Sequence, residues 1–165
     1  MKPTMDLDNL LLRDFRPKQM LRIAEHHPER FPVPAVDAHN HLGRWLTETW
    51  SVPDVGELLA MMDELNIRAI VNLDGRWGDD LEANLDRYDR AHPGRFASFC
   101  HLEWDETKKA GWGERLAASL RDSVKRGAKG LTLWKVIGRS LRHEHAELFF
   151  LDDPRLSPVS CAVAQ

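Results

Sequence analysis

His39 and His41 stand one residue apart behind the apolar run Val33-Pro34-Ala35-Val36, with Asp37 just ahead of them and Gly43 just after. In an extended chain, residues two apart face the same way, with Cα atoms about 6.6 Å apart at roughly 3.3 Å rise per residue. Two imidazoles so placed can converge on one divalent metal ion, and Gly43 lets the backbone turn away behind them. The same pair also fits two partly exposed loop histidines. Asp37 either stands behind the ligands or caps the strand end. The position adds weight to the metal reading, because sites of parallel α/β proteins lie at the C-terminal ends of strands.

Other residues fall at equivalent places. Asp74 and Arg76 follow a second apolar run, Ala69-Ile70-Val71-Asn72-Leu73, and are placed to touch a substrate; Asp74-Gly75 is equally a turn signal. His101 ends a third run, and Lys135 ends a fourth. Each can face the same mouth or be a solvated strand end. Trp77, Trp104 and Trp134 lie near these ends and either wall a pocket for a planar molecule or pack under the loops. A second His-x-His, His143-Glu144-His145, lies near Arg139 and Arg142 and reads as solvated loop. No Gly-rich phosphate loop, nucleophilic Ser or Cys arrangement, or paired zinc cysteines appears.

The elements that must carry these residues alternate. Strands are expected at 33–39, 68–73, 95–101 and 130–136. Helices are expected at 53–66, with Val55, Leu58, Leu59, Met62 and Leu65 inward, and at 79–91, with Leu81, Leu85 and Tyr88 inward. A third is expected at 113–126, with Leu116, Leu120 and Val124 on one face and Gly127 as its stop. This spacing means parallel βαβ units, an α/β fold, though periodicity does not separate an open doubly wound sheet from a closed barrel. Residues 1–32 read as an N-terminal helical arm. Pro17 opens its helix, Met20, Leu21, Ile23 and Ala24 form a partial apolar stripe, and Pro28, Pro32 and Pro34 end it. Asp152-Asp153-Pro154 starts a fourth helix that runs for about two turns.

Bulk composition narrows the function. The 165 residues carry 23 Lys+Arg against 26 Asp+Glu, a net charge of -3, which argues against a general nucleic-acid or anionic-membrane binder. Cys100 and Cys161 cannot build a disulfide framework. The longest apolar run near the N-terminus is Leu10-Leu11-Leu12, far short of a signal-peptide core or of the roughly 18 residues of a membrane span, so a cytoplasmic location is expected.

The run Ala35-Val-Asp-Ala-His-Asn-His-Leu-Gly43 resembles the first-strand metal motif of the amidohydrolase superfamily. It is most similar to the amidohydrolase-related branch that includes aminocarboxymuconate semialdehyde decarboxylase and resorcylate decarboxylases. Val71-Asn-Leu-Asp-Gly75, Gly127-Ala-Lys-Gly-Leu131, Leu133-Trp-Lys135 and Asp152-Asp-Pro-Arg-Leu156 extend the resemblance in order. It implies a TIM-type (β/α)8 barrel with a divalent metal, zinc foremost, at its C-terminal mouth, held by His39 and His41. In that family further ligands come from a His after a later strand and an Asp at the eighth, the latter the general base; neither strand lies in this sequence. Some superfamily members use a fourth-strand Lys as a carboxylated ligand, a role that Lys135 could take, while Thr132 stands where close relatives carry Lys. The remaining ligand could come from Asp74, His101, Lys135 or a second chain.

Such a barrel takes about 250 residues, so 33–165 is expected to be a partial, C-terminally truncated domain of about four βα units. The implied function is metal-dependent hydrolysis of a C–N, ester or related bond in a small molecule. The alternatives are non-oxidative decarboxylation, or an incomplete half-barrel with no activity alone. The expected partners are a small-molecule substrate and either a second copy or a complementary half-barrel, without nucleic acid or membrane.

Overall fold

The computed structural model describes residues 9–26, 28–142 and 148–164. Strand β1 (Ala35–Asn40) leads to helix α1 (Val55–Leu65) and strand β2 (Ile67–Asn72). Helix α2 (Gly78–Asn84) runs straight into a π-helical segment (Leu85–Arg90) before strand β3 (Phe96–Cys100). Helix α3 (Trp112–Arg126), the short strand β4 (Gly130–Leu131) and helix α4 (Ser157–Val163) complete the order.

Local signals explain most of these bounds. The Asp54 carboxylate accepts the Gly56 and Glu57 amides at 2.7 and 3.3 Å, capping α1, and Asn66 ends it at φ 64°. Gly127, at φ 129°, stops α3 as expected. Asp153 accepts the Arg155 amide at 2.9 Å, opening the turn Pro154–Leu156 that precedes α4.

The four strands are parallel and lie side by side in the order β1-β2-β3-β4, in a curled sheet. A doubly wound sheet reverses its strand order at a switch point; no reversal occurs among the described strands. Same-handed crossovers between consecutive strands therefore put the helices on one face. That face holds the core. Ile70 and Phe96 pack with Leu58, Met62, Tyr88 and Leu42, while Cys100 packs with Leu85, Leu116, Leu120 and Phe149. The opposite face carries Val36, Ala69, Val71, Ala97 and Phe99, none of them buried; Val36 is 55% exposed.

Four expectations are corrected. Residues 15–26 form no helix, and among the leader's described residues the one helical turn is the 3-10 turn at Leu12–Asp14. Met20, Leu21 and Ile23 are exposed, so the apolar stripe has no surface to bury against, and a short helix without tertiary packing is marginal. The second helix changes to π geometry after Asn84, although Leu81, Leu85 and Tyr88 are buried as expected. Val124 is 54% exposed; Trp112, Ala117 and Ser123 share the buried face of α3 with Leu116 and Leu120 instead. The fourth strand spans two residues rather than seven. Among the described residues β3 is its sole partner, and pairing ends where β3 ends: after the Thr132 amide bonds Cys100 O at 2.8 Å, the chain turns, with the Ile137 amide on Trp134 O. His143, Glu144 and His145 lie outside the described residues. No helix among the described residues is long and apolar enough to cross a membrane.

Candidate functional site

The C-terminal ends of β1, β2 and β3 are tied by a buried amide network that the sequence reading passed over. Asn72 Oδ1 accepts the Leu42 amide at 3.0 Å and the Asp74 amide at 3.1 Å, and its Nδ2 donates to Asn84 Oδ1 at 3.0 Å and Ser98 Oγ at 3.3 Å. Asn84 Nδ2 in turn donates to the Asp74 carbonyl at 3.3 Å. Asn72, Asn84 and Ser98 are all fully or almost fully buried. Buried amides persist when their donors and acceptors are satisfied, and here that satisfaction fixes the backbone on which the site is built. The legible signal was an Asn inside the apolar run Ile70-Val71-Asn72-Leu73, with a second three residues beyond the inward Leu81.

On this frame His39 and His41 come together, their ring centroids 5.4 Å apart at an interplanar angle of 71°. Asp37 binds within the strand end itself. Its carboxylate accepts the His39 amide at 3.1 Å and Asn40 Nδ2 at 2.8 Å, shaping the strand end that carries the histidine. His41 Nδ1 lies 2.6 Å from Asp74 Oδ1. The Asp74 side chain is fully buried, while His41 is partly exposed.

Beside the histidines lies a tryptophan-walled pocket of about 320 Å³, bordered by Trp45, Trp77, Trp104 and Trp134 together with Arg76 and His101. The three tryptophans singled out from sequence all line it; Trp45, in the loop after β1, was not anticipated. Trp134 stands edge-on to both His41, at 6.1 Å, and Trp45, at 4.9 Å, and so joins the pocket to the histidine pair. Arg76 adopts φ 60°, rare for a side chain with a β-carbon. Its guanidinium lies 4.0 Å from the Trp77 ring centroid and 5.2 Å from that of Trp45. Burial lowers the pKa of Arg76, against the opposing pull of Asp80, Glu103 and Asp74. His101 Nε2 donates to the Leu73 carbonyl at 2.5 Å, so the proton sits on that nitrogen. Burial also pushes the His101 pKa below its ordinary value; the Leu73 bond opposes this and the Arg76 charge adds to it. Lys135 is exposed, with Nζ 5.0 Å from the Trp134 ring centroid.

The fit to a metal is therefore partial. His39 and His41 can supply two nitrogen donors, but among the described residues no group of three or more His, Cys, Asp and Glu is placed to hold an ion. Asp74 engages the imidazole of His41, and His101 is turned to a carbonyl, so neither adds a third ligand in this arrangement. Comparison of the chain with protein-family models, curated proteins and solved structures returns no match.

Proposed function

We propose that this chain is an amidohydrolase-type, metal-dependent hydrolase domain whose described part is the first four βα units of a (β/α)8 barrel. The reading is carried by one observation: His39 and His41 meet at the C-terminal edge of a parallel sheet wound in one direction only. That edge is where barrel chemistry is assembled.

His39 and His41 would hold a divalent ion, zinc foremost, with its other positions filled from outside the described residues. When bound, such an ion supplies Lewis acidity toward water and toward a substrate carbonyl. The chain's own residues do the rest. The Asn72 network holds the strand ends in register, and Asp37 shapes the turn that presents His39. The tryptophan walls flank the space beside the pair and favour a small, flat substrate. Arg76 offers a partly buried positive charge at the pocket wall.

The face of Val36, Ala69, Val71, Ala97 and Phe99, none of them buried, and the outer edges of β1 and β4, which pair with no further strand among the described residues, support association with a second copy or a complementary half-barrel. An incomplete half-barrel without activity alone is the competing reading, favoured by the absence of a third ligand among the described residues.

A panel of small amides, esters and aromatic carboxylates, incubated with the chain and zinc, separates the cases. Hydrolysis product that disappears on chelation and in His39→Ala supports the proposal. Carbon dioxide release in its place identifies a decarboxylase, and no turnover in any oligomeric state favours the incomplete half.

A further inference from the structure

The buried carboxylate behind His41 is more tightly located than a turn residue needs to be. The Asp74 side chain is fully buried, its amide is held by Asn72 Oδ1 at 3.1 Å, and its carbonyl accepts Asn84 Nδ2 at 3.3 Å. Of its two carboxylate oxygens, Oδ1 meets His41 Nδ1 at 2.6 Å, while Oδ2 is buried with no hydrogen-bond partner among the described residues. A buried carboxylate with one partner is destabilising unless positive charge or a strong donor lies on its far side.

The geometry points to Asp74 as the positioning residue of the site: it fixes His41 in the Nδ1-protonated tautomer and leaves Nε2 as the free electron-pair donor to a divalent cation. A carboxylate can only accept from the neutral ring, so the proton must sit on Nδ1. The other nitrogen then keeps its lone pair, on a ring that remains partly exposed. Carboxylates placed this way behind a ligating imidazole set its orientation and raise its basicity. The inference rests on His39 and His41 being metal ligands, yet it makes a claim about the apo protein that needs no metal.

Long-range ¹H–¹⁵N spectra of the metal-free full chain read the tautomer directly. The expected result is a His41 ring protonated at Nδ1 in the wild type and redistributed between tautomers in Asp74→Asn, whose amide can donate as well as accept. A wild-type His41 protonated at Nε2 overturns the inference, whether or not the variant folds. Zinc titration is the second measurement. Asp74→Asn should weaken binding by about 10- to 100-fold, with no added effect in a His41→Ala background. If His41→Ala weakens zinc binding and Asp74→Asn does not, the positioning role fails while the metal reading stands. If His41→Ala leaves zinc binding unchanged, the metal reading itself fails, and the tautomer spectra still decide the role of Asp74.

Discussion

Gly43 and Asp74 approach so closely that a β-carbon on Gly43 would lie 2.6 Å from Asp74 Cβ and 2.9 Å from the Asp74 carbonyl oxygen. The loop leaving β1 is thus pressed against the residue that ends β2. It is this contact that holds the His41 turn over the Asp74 carboxylate. Gly43→Ala must therefore move one strand end away from the other. The expected cost is about 1–3 kcal/mol, the usual range for overpacking a close-packed site, read as a lower midpoint in urea unfolding. An unchanged midpoint would show that the two ends separate freely.

Asn72 makes a second, independent claim on stability. Replacing it with Ala leaves the Leu42 and Asp74 amides and the Asn84 Oδ1 without their partner in a buried setting. Leaving one buried group unsatisfied costs about 1–3 kcal/mol, so Asn72→Ala should lose at least that much in the same measurement. A loss under about 0.5 kcal/mol would mean the network is redundant.

Much of this frame could be read from the residues alone, and the part that could not has a physical reason. The strand–helix alternation and the α3 stop at Gly127 are local signals, and the structure carries both; the Asp54 cap that starts α1 is an equally local signal that the reading passed over. The leader helix failed because a stripe of Met20, Leu21 and Ile23 needs a partner surface, which pattern does not supply. The length of β4 failed because an edge strand extends only as far as β3 accompanies it. At the site, the meeting of His39 and His41 was legible from their spacing. The meeting of His41 with Asp74 was not, since it depends on the register between β1 and β2 and on the absence of a side chain at Gly43. Trp45 escaped notice because it sits in a loop whose path no periodicity predicts.

His101 should make stability depend on acid. Its folded pKa lies below the ordinary 6.5 because burial disfavours the imidazolium. Between those two values the unfolded chain binds more protons than the folded one, so stability rises with pH. The contribution is complete above about pH 6.5 and is lost as pH falls through the folded value, at up to ~1.4 kcal/mol per pH unit for one proton. His101→Gln keeps a donor for the Leu73 carbonyl and removes the titration. Urea midpoints of the variant from pH 7 to 5 should fall less steeply than those of the wild type; parallel slopes would remove His101 from the account.

The uncovered sheet face predicts association. In sedimentation velocity at micromolar concentration the wild type should sediment faster than a monomer, and Val36→Lys should shift it toward monomer. Because Val36 is already 55% exposed, the substitution should change stability by no more than about 0.5 kcal/mol. A monomeric wild type with cooperative unfolding would show that this face tolerates water.

The central claim is that His39 and His41 hold a divalent metal, and zinc titration of the metal-free chain against a competing chromophoric chelator tests it most directly. The account predicts saturable binding at one zinc ion per His39–His41 pair, with strong weakening in His39→Ala and in His41→Ala but none in His92→Ala, a histidine away from the pair. Equal zinc binding by the wild type and both site variants, or no binding by the wild type, would contradict it.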